Sequence, residues 1–270
     1  MKLGFVLRNM GPASTPETIR ALARAADATS SIDDLWVADH VAIPPDDAEG
    51  SNGRYLDPLA TLAYVGGLTE RVSLGTGVLV LPYRPALPTA KWVATIQELA
   101  GGRLLLGVGV GWMEAEFRAS GVPMRQRGRV SDEVLDFLER CFAASDDVVE
   151  ANGQAFLFRP HPPRPPLFVG GAPPHAWRRA IAHRGGWMPM GLEPDRLEPL
   201  AAEFRAQAAA AGLDAPEIVV MTGLPLDDRG AARERIAAFA AAGATRLVHG
   251  LRYGTVDEGR RMIDGLGGLA

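Results

Sequence analysis

The stretch from Gly102-Arg103-Leu104 to Gly111-Trp112 constrains this chain most. Leu104, Leu105 and Leu106 form an apolar run with no polar alternation. That is the pattern of a strand buried on both faces, as in a parallel sheet. Glycines then fall at every second position, Gly107, Gly109 and Gly111. On a strand this spacing strips side chains from one face. The bare face either lets a flat or phosphorylated ligand lie against backbone, or lets neighbouring chain pack tightly at a barrel corner. The spacing is not the G-x-G-x-x-G of a dinucleotide-binding turn, and no strand ending in an acid follows at the right distance.

Around this stretch the sequence alternates strand-like and helix-like segments. Strands are expected at Leu3 to Leu7, Leu35 to Ala38, Val72 to Val80, Gly102 to Gly111, Leu167 to Val169, Gly186 to Met190, Glu217 to Met221 and Arg246 to Val248. Thr15-Pro16-Glu17 reads as a capped helix start, with Ile19, Leu22, Ala23 and Ala26 on its inner face. Asp57-Pro58 opens a second helix, and Trp92, Ile96 and Leu99 share a face of a third. Ser131 is expected to cap a fourth helix running to about Ala144, and Thr255 with Glu258 makes a capping box for the last. Residues 145–166 hold many prolines and little periodicity, so they read as an insertion after the fourth helix. Strict alternation implies parallel strands, and eight strand–helix units in one domain of residues 1–270 imply an α/β fold of the (β/α)₈ TIM-barrel type. A doubly wound open sheet is the alternative.

Composition narrows the function. The net charge of -4 argues against nucleic acid as a partner. No apolar run reaches the roughly 18 residues that cross a membrane, and Met1 to Leu7 is too quickly interrupted for a signal peptide, so a cytoplasmic protein is expected. The single cysteine, Cys141, is in step with Val134, Leu135 and Leu138 and reads as a buried structural thiol. The five histidines have no metal-ligand spacing, so no metal site is expected. The two lysines, Lys2 and Lys91, are not at strand ends, which argues against Schiff-base chemistry.

In a (β/α)₈ barrel the site lies at the carboxyl ends of the strands. Those ends carry Asp39-His40, Thr76-Gly77, Gly107 to Trp112, Gly170-Gly171 and Met190-Gly191. Asp39-His40 is the most chemical pair, since histidine titrates near neutrality and relays protons. The alternative is a loop cap by Asp39 with His40 merely exposed. Gly170-Gly171 precedes a helix entered through Pro173-Pro174, where free amides hold an anion or the glycines simply turn the chain. Glu114 and Glu116, two apart on a helix, face away from each other and read as solvated charges. Anion cradles, bare backbone and one histidine describe a site where a bound cofactor does the hard chemistry.

Taken in order, Leu35-Trp36-Val37-Ala38-Asp39-His40, Leu74-Gly75-Thr76-Gly77-Val78, Tyr83-Arg84-Pro85 with Ala90-Lys91, and Gly102-Arg103-Leu104 to Gly111-Trp112 with Glu116-Phe117 form a familiar series. Val169-Gly170-Gly171 and Gly186-Trp187-Met188-Pro189 complete it. Over nearly its whole length the chain resembles the bacterial luciferase-like flavin and deazaflavin oxidoreductases, most of all the subgroup that uses coenzyme F-420. The resemblance implies hydride transfer between that deazaflavin and a small organic substrate, with His40 as acid/base and Asp39 beside the cofactor ring. It implies cofactor contacts from Thr76, Gly77 and Val78, with a cis peptide between the last two. Gly109, Val110 and Gly111 would line the cofactor side chain, and Gly170, Gly171 and Ala172 would take its phosphate. Arg103 would be a structural residue at the barrel bottom. Residues 44–54 and 145–166 would close over the substrate, and the chain would pair as a homodimer. Two rival readings are an FMN-dependent monooxygenase using reduced flavin and oxygen, and a non-catalytic flavin-binding barrel.

Overall fold

The computed structural model describes residues 1–269. In chain order the elements are β1 (Lys2–Val6), α1 (Pro16–Ala28), β2 (Asp34–Val37), α2 (Pro58–Gly66), β3 (Ser73–Thr76), β4 (Leu79–Val80) and α3 (Ala86–Leu99). Then come β5 (Leu104–Gly109), α4 (Glu114–Ala119), α5 (Arg127–Ala143), β6 (Val148–Ala151), β7 (Gln154–Leu157), β8 (Leu167–Gly170) and α6 (His175–Ala182). The chain ends with β9 (Gly186–Met188), α7 (Pro194–Ala210), β10 (Val219–Thr222), α8 (Arg229–Ala241), β11 (Arg246–His249) and α9 (Val256–Gly267).

The main sheet is parallel in the order β10-β11-β1-β2-β3-β5-β8-β9. Its two ends meet: Trp187 bridges Ile218, and the Trp187 amide donates to the Glu217 carbonyl at 3.0 Å. The fold is therefore the expected eight-stranded parallel barrel wrapped in helices. Side chains alternate along each strand. Trp36, Leu105, Phe168, Met188, Val219 and Val248 fill the inside of the barrel, while Phe5, Leu35, Leu74, Leu104 and Leu247 pack outward under the helices. At the amino end of the strands, buried Arg246 pairs with buried Asp34, which also accepts from the Trp36 indole. Arg103 lies at this end too, donating to the carbonyls of Val72 (2.7 Å) and Thr69 (2.7 Å), the structural role expected of it.

Four expectations are corrected. The strand read as Val72 to Val80 is broken into β3 and β4, and the Gly77–Val78 peptide between them is cis, as the resemblance implied. Ser131 does not cap α5: the helix already begins at Arg127, and the buried Ser131 hydroxyl donates back to the Arg127 carbonyl at 2.8 Å. On α3, Ile96 is buried but Trp92 and Leu99 are exposed; the inner face is Ala90, Val93, Ala94 and Gln97. Residues 145–166 contain the antiparallel β6–β7 hairpin, and they do not cover the barrel mouth. They join the end of α5 to the start of β8, and so lie at the amino end of the strands. There the Pro163 carbonyl accepts from the Gln97 side-chain amide, whose Oε1 accepts from the Leu104 amide at the foot of β5. A connection from helix to strand in this fold emerges on the face opposite the site, so this insertion is no lid.

Candidate active site

A cavity of about 440 Å³ opens at the carboxyl ends of β2, β3, β4, β5 and β8. Nine of the eleven residues expected at the site line it: Asp39, His40, Gly77, Val78, Gly109, Val110, Gly111, Gly170 and Gly171. The other two stand apart. Thr76 is fully buried, and its hydroxyl donates to the Gly107 carbonyl at 2.6 Å, tying β3 to β5. Ala172 is exposed just beyond Gly171.

The glycines are accounted for chiefly by packing. A Cβ on Gly107 would sit 2.0 Å from the Thr76 carbonyl oxygen. One on Gly109 would sit 2.5 Å from a Val78 methyl, and one on Gly170 2.8 Å from the other. Val78 is thus wedged between two strands that carry no side chains there, and it presents its isopropyl group to the cavity. Gly111 turns the chain out of β5 with φ +77, a conformation that suits glycine. Of the two readings of this bare face, neighbouring chain fills the space at Gly107 and Gly109, and the ligand-sized space begins beyond Val78.

His40 and Glu116 form the polar centre. Glu116 is 1% exposed. One of its oxygens accepts from the amides of Val41 (2.6 Å) and Ala42 (3.0 Å). The other meets His40 Nδ1 at 2.9 Å and accepts from the Tyr83 hydroxyl at 3.0 Å. Burial pushes the Glu116 carboxyl up, but the Ala42 and Val41 amides and His40 outweigh it and hold the group below the usual range. Burial and the Glu116 charge push the Tyr83 phenol up, so it stays protonated and donates. A carboxylate only accepts, so His40 must carry its neutral proton on Nδ1. That leaves Nε2 with a free lone pair and no partner among the described residues. The ring lies 4.8 Å from Tyr55 and edge-on to Trp112 at 6.1 Å. This is the arrangement of an oriented acid/base: one nitrogen fixed, the other available.

Asp39 lines the cavity, but its carboxylate is engaged. Arg84 grips it with two bonds, 2.6 and 2.9 Å, and the Val80 amide donates to it at 2.8 Å. Arg84 also reaches Asp57 at 2.7 Å. Asp39 therefore fixes the loop after β2 to β4. Behind it, buried Asn9 clamps the same tip, with its amide group bonding the Ala38 carbonyl (2.7 Å) and amide (2.9 Å).

At the Gly170 end, the cradle is leaner than the sequence suggested. The Gly171 amide is used by the Met188 carbonyl at 3.3 Å, and Pro173 and Pro174 have no N–H. The Ala172 and His175 amides remain without backbone partners.

Sequence reasoning missed Glu116, Tyr83, Tyr55, Arg84 and Asn9. Glu114 and Glu116 do face apart as expected: Glu114 pairs with Arg118 in solvent, but Glu116 turns inward. The signal was present in the apolar neighbours. Met113, Glu116 and Phe117 fall on one helical face, and all three are buried.

A family model described as luciferase-like monooxygenase matches residues 1–264, so the chain belongs to that family. An uncharacterised protein of Mycobacterium tuberculosis is 30% identical over 227 residues, covering 76% of this chain and 77% of its own. Among solved structures, monooxygenase RslO1 from Streptomyces bottropensis superposes with a TM-score of 0.82 at 19% identity, covering 99% of this chain and 98% of its own. An F420-dependent secondary alcohol dehydrogenase, solved with an F420–acetone adduct, gives 0.81 at 18% identity, covering 100% and 98%.

Proposed function

We propose that this luciferase-like family member is a deazaflavin-dependent oxidoreductase, exchanging a hydride between coenzyme F-420 and a small organic substrate bearing a hydroxyl or carbonyl group. The observation that carries this reading is the His40–Glu116 pair at the cavity wall. When a hydride leaves or joins a carbon bearing oxygen, a proton must leave or join that oxygen. His40 Nε2, with its lone pair free, takes that proton in one direction and returns it in the other. Glu116 holds the ring in the required tautomer and faces the charge the ring then carries, at 2.9 Å.

The cavity suits a flat ring system. Its volume of about 440 Å³ falls in the ordinary range for ligand sites, about 300–1,000 Å³. Val78, Val80 and Val110 give apolar walls, and Met190 and Trp112, 63% and 69% exposed, stand at the rim. The Ala172 and His175 amides are the donors available to a phosphate beside Gly170 and Gly171. A bound deazaflavin supplies two-electron hydride chemistry that no side chain offers. Asp39 and Arg84 keep the cavity wall in place.

Titration of the purified chain with coenzyme F-420 and, separately, with FMN, followed by absorbance and fluorescence, tests this. F-420 should bind at least tenfold more tightly. His40→Ala should retain that binding within about threefold while turnover falls about 10²-fold or more. Tight FMN binding with no F-420 binding would reject the reading in favour of an FMN monooxygenase.

A further inference from the structure

A second cavity lies beside the first. It has a volume of about 350 Å³, and Arg8, Met10, Gly11, Gly50, Arg252 and Tyr253 are among the residues that line it. Met10 belongs to both cavities and forms a backbone bridge with Tyr55, so the Met10–Tyr55 pair is the partition between them. On one side of that partition is the His40 ring, 4.8 Å from Tyr55. On the other are two guanidinium groups.

Neither arginine has a carboxylate within 4.0 Å among the described residues, whereas Arg84, Arg179, Arg235 and Arg246 each hold one. Among the described residues no acidic one lines the second cavity. Glu258, the acid at its edge, is used by the Gly254 amide at 2.6 Å. Arg8 is nevertheless oriented: it donates to the Tyr253 carbonyl at 3.0 Å and lies over the Tyr253 ring at 5.7 Å. Arg252 lies against Gly50, where a Cβ would come within 3.0 Å of its guanidinium. Gly50 has φ +75, so the close approach and the backbone both favour glycine there. The Tyr55 phenol feels both ends of the arrangement, raised by burial and by Glu116 and opposed by Arg8 and Arg252.

We infer that Arg8 and Arg252 form an oxyanion subsite that binds a carboxylate or phosphate group of the substrate, so that the substrate class is a small anionic alcohol or carbonyl compound. Two guanidiniums without carboxylate partners, lining one cavity, suit a carboxylate or a phosphate far better than a neutral group. The assignment to substrate rather than to the cofactor tail follows from barrel order. The arginines follow β1 and β11, and the Gly170–Ala172 turn follows β8; in the closed eight-strand circuit β8 is four strands from β1 and three from β11. They stand on opposite sides of the mouth, with His40 between. An anchored anion thereby sets the rest of a small molecule across the Met10–Tyr55 partition toward His40 Nε2. The assignment to a substrate rests on the oxidoreductase reading above; the anion subsite itself does not.

The test uses inorganic phosphate and, separately, succinate as probes, by calorimetry at constant ionic strength. Each is titrated into wild type, Arg252→Ala and Arg252→Lys, with and without saturating coenzyme F-420. Arg252 is exposed, so its substitution should leave the fold intact, and circular dichroism checks that. At least one probe should bind wild type whether or not cofactor is present. Arg252→Ala should weaken it about tenfold or more, and Arg252→Lys should recover part of the loss. F-420 affinity should change less than twofold. Equal probe binding by wild type and Arg252→Ala would overturn the subsite. A tenfold loss of F-420 affinity in Arg252→Ala, or loss of probe binding once F-420 is bound, would overturn the assignment to substrate. Arg252-dependent probe binding in a protein that binds no F-420 would uphold the subsite and sink the cofactor reading instead.

Discussion

Glu116→Gln keeps the shape of the buried side chain and removes its charge. In the native protein one oxygen serves the Val41 and Ala42 amides, and the other serves His40 and Tyr83. Glutamine keeps a carbonyl for the two amides but turns an NH₂ group toward the ring and the phenol. All four charge-assisted bonds become neutral ones, a loss of up to about 1 kcal/mol each. Relief from burying a charge offsets part of this, which leaves a net loss of about 1–2 kcal/mol. In a chain of 270 residues that corresponds to a Tm lower by roughly 2–4 °C. The His40 ring must answer by moving its neutral proton from Nδ1 to Nε2. Long-range nitrogen–proton NMR of labelled histidine reads this directly: Nδ1–H in wild type, Nε2–H in the variant. Turnover should fall about 10²-fold or more, because the nitrogen facing the cavity has become a donor. The pH dependence has a defined sign. The folded Glu116 carboxyl is held below its ordinary 4.5, so its contribution is present above that value and lost as pH falls through the folded value. Wild type and variant should therefore converge in stability only on acidification below that ordinary 4.5. An Nε2–H tautomer in wild-type protein, or the same tautomer in both, would refute the reasoning.

Three further outcomes are expected. Gly109→Ala places a Cβ 2.5 Å from the Val78 methyl, so it should destabilise by about 1–3 kcal/mol in urea denaturation and push Val78 into the cavity; unchanged stability would contradict the wedge. His249 is fully buried and burial holds it down to about 4, with Nδ1 accepting from the Leu224 amide at 3.1 Å. Its depressed value means that stability is complete above the unfolded value of 6.5 and is lost as pH falls from there toward 4, by about 3 kcal/mol; urea midpoints from pH 7 to 4 should show that loss, and His249→Leu should flatten it. Replacing residues 148–157 by a short turn should leave F-420 affinity within twofold, because the hairpin is at the far end of the barrel; a tenfold loss would contradict that placement.

What was legible in the sequence was what depends on periodicity and on strand ends. Ile19, Leu22, Ala23 and Ala26 are the buried face of α1, and Thr15 caps it, because helical spacing and cap chemistry are local. The strand tips at 39–40, 77–78, 109–111 and 170–171 meet in one cavity because barrel topology brings together what the sequence separates. Interactions that join distant segments were not legible. Glu116 reaches His40 across 76 positions and Asp39 meets Arg84 across 45, and no local pattern announces either bond. Trp92 and Leu99 misled because an apolar stripe on a helix need not be its inner face. The insertion misled because its composition resembles a lid, while its position between a helix and the following strand puts it at the wrong end.

The central claim is that four separate strand tips surround one flat cofactor ring. Backbone amide NMR of the labelled protein during titration with coenzyme F-420 addresses it most directly. The account predicts that amides at residues 39–42, 77–80, 109–112 and 170–172 shift together with a single saturation curve. Shifts confined to one of these segments, or lying elsewhere on the barrel, would contradict it.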